Sequence, residues 1–86
     1  MSHINSYKFA KALGAYLKYE RMNQKITIKK ISKALQLNPS TIVSIEEGKH
    51  HASFVNVYKI LIFLKINHAL FMTHLSNELE SQKTKS

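Results

Sequence analysis

The chain contains no cysteine, which excludes both a disulfide framework and a thiolate metal site. It has no uninterrupted apolar run near the ~18 residues of a membrane-spanning helix, and no secretory signal pattern opens it. These absences point to a cytoplasmic protein. Acids are few, with Asp and Glu totalling 5 against 13 Lys and Arg. Scattered as they are, the carboxylates offer no pair for general acid–base work, and neither a Gly-rich phosphate loop nor a Ser/His/Asp set is present. Catalysis is therefore not expected. The 5 histidines do not suggest a metal site either. His50 and His51 are adjacent in a loop, His68 and His74 fall on different helix faces, and no cysteine or carboxylate completes either set. No cofactor is implied. There is no internal repeat and no low-complexity linker.

What remains is a chain of 86 residues, 44% apolar, enough for one compact core but not a large one. Domains of this size often gain stability by pairing with a second copy. The formal charge of +8 points to a polyanionic partner, either nucleic acid or an anionic membrane, with plain solubility as the alternative. Its distribution favours a partner: between Glu20 and Glu46 lie Arg21, Lys25, Lys29, Lys30 and Lys33, and no acid.

The stretch from Thr27 to Lys49, TIKKISKALQLNPSTIVSIEEGK, organises the chain. Thr27 can cap a helix whose apolar positions Ile28, Ile31, Ala34 and Leu35 share a face. Gln36 and Leu37 form the link. Asn38 is a good N-cap and Pro39 is tolerated at the first helical position, where its missing N–H costs nothing. Ile42 and Ile45 then share a face, and Gly48 ends the helix as a C′ glycine. The other face carries Pro39, Ser40, Val43, Ser44 and Glu47, which are small or polar and need no core. Two short helices joined by a tight turn, the second presenting a small polar face, form the helix-turn-helix pattern.

The flanks support this unit. Met1–Asn5 reads as an irregular arm. Ser6 can cap a first helix running to about Met22, with Phe9, Leu13, Leu17 and Tyr16 inward and Lys8, Lys11 and Lys18 outward. Asn23–Ile26 and His50–Ser53 are loops. Ser53 caps a fourth helix, Phe54–Lys65, with an inward stripe of Phe54, Val57, Tyr58, Leu61 and Leu64. Val55, Ile60, Ile62 and Phe63 leave this helix apolar nearly all round, a composition normally buried on more than one side. Its β-branched content also suits a strand, but a lone strand would have no partner. Asn67 caps a fifth helix reaching about Leu79, with Leu70, Phe71, His74, Leu75 and Leu79 on one side. In a monomer this helix would cover the fourth. In a dimer the two would form the interface through Phe63, Leu70, Phe71 and Leu75. The surplus of apolar surface favours the dimer. The expected organisation is a single domain over residues 1–80, its dimerisation helix at about 67–79, followed by a flexible basic tail at 81–86.

The pattern resembles the phage repressor/Cro class of helix-turn-helix proteins, the XRE family. The resemblance rests on Thr27, Ile31, Leu35 and Leu37, then Ser40-Thr41-Ile42, Ile45-Glu46 and Gly48-Lys49, and it spans about Leu13 to Ile66. It implies an all-α, five-helix, lambda-repressor-like fold and an ion pair between Arg21, late in the first helix, and Glu46, late in the third. It also implies that the third helix enters the major groove of double-stranded DNA with Pro39, Ser40 and Ser44 at base edges and Thr41 close by. Serine hydroxyls donate or accept toward several bases and so discriminate weakly. Val43 is either a contact for a thymine methyl or a helix-packing residue. Phosphate contacts come from side chains and helix N-termini, which makes Thr27, Lys29, Asn38, Lys49 and His50 candidates. For each lysine, plain solvation is the alternative.

Three features depart from the family pattern. Ile28 stands where a Gln is common. Gln36 stands where Gly is usual and must adopt a positive φ at roughly 1 kcal/mol. The reading face also lacks an Arg or Gln for bidentate base contacts. Shape readout, the Met1–Asn5 arm or dimer spacing would then carry part of the specificity. The leading expectation is a dimeric repressor on a palindromic operator, similar to Cro-like repressors, restriction–modification controllers or antitoxins, with two third helices about 34 Å apart. A second is a protein-interaction adaptor whose exposed Phe63, Phe71 and Leu75 bind a toxin or RNA polymerase. A third, an amphipathic membrane binder, is weaker, because the basic and apolar surfaces lie on different helices.

Overall fold

The computed structural model describes residues 6–49 and 53–84. The Met1–Asn5 arm and His50 therefore lie outside the described residues. Five helices follow in order: α1 (Ser6–Asn23), α2 (Ile28–Leu35), α3 (Pro39–Glu47), α4 (Phe54–Phe63) and α5 (His68–Thr84).

Local chemistry sets most of the boundaries. The Thr27 hydroxyl oxygen accepts from the Lys30 N–H at 3.1 Å, Ser53 from Asn56 at 3.4 Å, and the Asn67 amide oxygen from Leu70 at 3.0 Å. Each side chain satisfies a donor that the first helical turn leaves unpaired. Asn38 occupies the cap of α3, but its side chain makes no capping bond. The turn closes instead on its carbonyl, which accepts from Thr41 at 3.0 Å and Ile42 at 3.3 Å. The first four helices end alike. Ile26, Leu37, Lys49 and Ile66 each donate a backbone N–H to the carbonyl five residues back, on Arg21, Ser32, Ser44 and Leu61. This 6→1 bond of a Schellman motif requires a left-handed residue just before the donor. Those residues are Lys25 (φ 58), Gln36 (φ 56), Gly48 (φ 65) and Lys65 (φ 56). Gln36 thus takes the positive φ expected from its place in the turn.

The core draws on every helix. Leu17 of α1, Ile31 of α2, Ile42 of α3 and Ile60 of α4 are fully buried, as is Leu64 just after α4, and Phe71 and Leu75 of α5 join them. Burial of each such side chain stabilises the fold by about 1.5–3 kcal/mol. Phe9, Leu13 and Tyr16 pack against this cluster from α1, and Ile28, Leu35 and Leu37 from the helix-turn-helix; Ala34 is exposed.

The chain's two glycines lie together where α1 crosses the end of α3. A Cβ on Gly14 would stand 2.6 Å from the Glu46 carbonyl oxygen and closer still to that of Ile45. A Cβ on Gly48 would stand 2.7 Å from Lys11 Cα. A glycine inside a helix costs up to about 1 kcal/mol relative to alanine, so its use here follows from the close approach of two backbones.

The C-terminal half departs from expectation in three ways. The inward stripe of α4 is Val57, Ile60 and Leu61, continued by Leu64, while Phe54 (76% exposed) and Tyr58 (44%) face outward with Val55 and Ile62. A helix apolar nearly all round offers two overlapping stripes, and periodicity cannot choose between them. Second, α5 packs chiefly on α1 rather than over the outer face of α4. Tyr16 of α1 stacks on His74 at 4.6 Å between ring centroids and tilts against Phe71 at 5.4 Å. Burial, and then the nearby Glu20 carboxylate, push the Tyr16 phenol above its usual pKa. Third, α5 continues to Thr84, past the end anticipated near Leu79. No Gly or Pro interrupts it, and Glu, Gln and Lys are good helix formers. Ser81–Thr84 is therefore helical where a tail was expected.

Candidate nucleic-acid interface

The turn between α2 and α3 is held from inside. The Ser32 hydroxyl donates to the Leu37 carbonyl at 2.5 Å while the Ser32 carbonyl accepts from Leu37 N–H at 3.1 Å. Leu37 itself is half-buried against the core. A reciprocal bond of this kind fixes the angle between the two helices, and with it the attitude of α3.

Behind α3, Arg21 and Glu46 meet. Arg21 Nε donates to Glu46 Oε2 at 2.7 Å and Nη2 donates to Oε1 at 3.2 Å, a bidentate pair. Arg21 Nη1 donates to the Ile26 carbonyl at 2.8 Å, so one guanidinium ties α1, its exit loop and α3 together. The side chains are only 11% and 4% exposed. At that burial the pair is costly to break, because the survivor is left as an unpaired buried charge. A further tie closes the far end: Gln24 Nε2 donates to the Leu64 carbonyl at 2.7 Å, linking the end of α1 to the end of α4.

With α3 fixed, its outer face is defined. Pro39, Ser40 and Glu47 are exposed, and Thr41, Val43 and Ser44 are half-buried. Ile42 and Ile45 hold the opposite side in the core. The five residues expected at base edges thus lie along the accessible side of one nine-residue helix. Val43 is half-buried, neither fully packed nor fully open.

Of the phosphate candidates, the described ones, Thr27, Lys29, Asn38 and Lys49, are all exposed. Thr27 and Asn38 occupy the caps before α2 and α3. The Thr27 oxygen accepts from Lys30, which leaves its O–H proton for an anion. The unused amide of the Asn38 cap is likewise exposed at the start of α3. Lys29, Lys30 and Lys33 are exposed along α2. Lys49 pairs with Glu47 at 3.0 Å, an open contact of small energetic weight. Both acids near this surface are therefore countered, Glu46 by Arg21 and Glu47 by Lys49, and the patch stays basic.

Of the residues expected at a dimer interface, Phe71 and Leu75 are buried in the chain's own core at 7% and 8% exposure, and Phe63 is half-buried against it. Leu70 alone stands open, at 65%. Phe71, which packs on Tyr16 of α1, and Leu75, buried in the same core, are not presented at the surface of the single chain. Sequence reasoning overlooked Gly14 and Ser32. A lone glycine in an otherwise regular helix signals close backbone approach. A serine five residues before the turn leucine carries no comparable signal.

A family model described as helix-turn-helix matches residues 17–71, from the middle of α1 to the first turn of α5. No curated protein matches the chain. No helix among the described residues is long and apolar enough to cross a membrane.

Proposed function

The chain belongs to the XRE family of helix-turn-helix DNA-binding proteins, and on that premise we propose that it is a cytoplasmic repressor binding a palindromic operator as a homodimer. The family is one of DNA-binding regulators, not of enzymes. The observation that carries the reading is the fixed attitude of α3: a small polar face, clamped behind by the Arg21–Glu46 pair and set in angle by the Ser32–Leu37 turn. In this reading Pro39, Ser40, Thr41 and Ser44 meet base edges and Val43 meets a thymine methyl. Thr27, Lys29, Asn38, Lys49 and His50 meet phosphates.

Short hydroxyl side chains supply modest discrimination from one copy. Two copies, with their α3 helices about 34 Å apart in successive major grooves, multiply it. With no cofactor or effector implied, concentration alone sets occupancy. Fluorescence anisotropy against the duplex flanking the protein's own gene, beside a scrambled duplex of equal composition, tests the proposal. A preference of about a thousandfold with a steep salt slope supports a specific autoregulatory repressor. Equal and weak binding to both would reject autoregulation and point to another operator, a missing partner or the adaptor reading.

A second reading is an adaptor or antitoxin that engages a toxin or polymerase, with DNA binding secondary. The exposed apolar residues of α4 favour it. The anchors expected for it do not, since Phe71 and Leu75 are buried and Phe63 is half-buried against the core.

A further inference from the structure

An open groove lies where α1 passes the C-terminal end of α3. It is lined by Lys11, Ala15 and Lys18 of α1 and by Glu46, Glu47 and Lys49 at the end of α3. Lys11, Ala15 and Lys18 fall at helical spacing on one exposed face, with the small Ala15 leaving room between the two lysines. The glycine crossing brings the two sides together. A Cβ on Gly48 would stand 2.7 Å from Lys11 Cα, so Lys11 is held beside the residue that precedes Lys49.

The groove is basic. Glu46 is already matched by Arg21, which leaves three lysines facing one carboxylate, that of Glu47. Glu47 holds Lys49 at 3.0 Å in an open pair of small energetic weight, so Lys49 can exchange it for another anion. The charge is also one-sided. The hollow on the other side of Ala15, lined by Ala12, Tyr16, Tyr19 and His74, includes no lysine among the described residues. The basic side of α1 is therefore the side turned to α3. Ser40, Ser44 and Glu47 share a face of α3 at helical spacing, so the groove continues the accessible face of that helix past its end.

We propose that this groove seats a backbone phosphate of the bound duplex, with Lys11 and Lys18 as DNA contacts from α1, an inference that rests on α3 reading the major groove. The length of α3 sets the distance. Its nine residues, at about 1.5 Å each, span about 13 Å. The major groove is about 12 Å wide and about 8.5 Å deep. With Pro39 and Ser40 at base edges, the Glu47 end emerges at the lip of the groove, where the sugar–phosphate backbone runs. Lysine ammonium groups on flexible stems meet a phosphate there as point charges and read no sequence.

Anisotropy of the full chain on the duplex flanking its own gene and on the scrambled duplex, between about 0.1 and 0.4 M salt, tests this. The variants are Lys11→Gln, Lys18→Gln and the two combined, with Lys59→Gln on α4 as a control that loses the same charge. All three lysines are exposed, and circular dichroism melting confirms folding. Each groove variant should weaken both duplexes about fivefold at about 0.15 M salt and lower the salt slope by about 0.9 per bound copy. The combined variant should lose about thirtyfold and twice that slope. Any preference between the duplexes should stay as in the wild type, since a phosphate contact reads no bases. Glu47→Gln, which removes the carboxylate from the groove, should tighten both duplexes. The proposal alone is overturned if the wild type binds DNA and the combined variant keeps its slope, or loses no more affinity than Lys59→Gln. Weaker binding by Glu47→Gln overturns it as well. A wild type that binds neither duplex would reject the DNA reading, and this contact with it.

Discussion

The two halves of this domain are fastened by different physics. Where α1 crosses α2 and α3, directional bonds dominate: a bidentate buried ion pair, a reciprocal Ser32–Leu37 bond and two glycines that let backbones touch. In the α4–α5 half the fastening is almost entirely apolar and aromatic, and α4 shows as much hydrophobic side chain to the outside as to the core. Directional bonds specify orientation, as a helix that must address base edges requires. Apolar contact is indifferent to small rotations and sets no such orientation. The helix-turn-helix half is thus held in a fixed attitude by directional bonds, while the α4–α5 half is held by burial.

That contrast breaks most visibly at Glu46. Glu46→Ala should strand Arg21 in a buried site and cost about 3–5 kcal/mol, lowering Tm by well over 10 °C by the usual scaling of about 4–8 °C per kcal/mol. Glu46→Gln, which keeps the shape and one acceptor, should lose distinctly less. An unchanged melting curve for the alanine variant would remove the clamp from the account.

Next is Gly14. Gly14→Ala adds about 1 kcal/mol of helix propensity but forces a methyl against two backbone carbonyls, an overpacking of about 1–3 kcal/mol that should win. Denaturant midpoints decide the sign. A stabilised variant would mean the crossing can open without loss.

The helix ends sharpen the comparison further. Gln36→Gly, Lys25→Gly and Lys65→Gly should each stabilise by roughly 0.5–1 kcal/mol, since all three hold a left-handed conformation without glycine's freedom. Gly48→Ala should do the reverse, because Lys11 backbone stands where the methyl would go. Chemical denaturation of the four variants gives the ordering. The smallest effect belongs to the outer stripe: Ile62→Lys should change monomer stability by less than about 0.5 kcal/mol.

The same contrast governs how much was legible in the sequence. The helix-turn-helix could be read because its signals are discrete: Thr27 as cap, Pro39 at the first helical position, Gly48 at the stop, and isoleucines at helical spacing. Arg21 and Glu46 could be paired only through family resemblance, since twenty-odd intervening residues carry no hint of contact. The rotation of the fourth helix is not legible, because nearly every position is apolar and Phe54 and Tyr58 suit the core by sequence as well as Ile60 does. The burial of Phe71 and Leu75 is illegible for a related reason: composition reveals a surplus of apolar surface but not which residues supply it. Ala34 looked inward by spacing, yet a small residue at the edge of a stripe gains little by burial and stays exposed. The length of α5 was missed because nothing marks its end.

One titration decides whether the outer face of α3 reads DNA while lysines and helix caps supply affinity. Anisotropy of the Ser40→Ala/Ser44→Ala double variant is measured on the native and the scrambled duplex at about 0.15 M salt. If α3 reads the bases, the preference for the native duplex falls by roughly tenfold or more while scrambled-duplex affinity and salt slope stay as in the wild type. Equal weakening on both duplexes, with the preference intact, would contradict it.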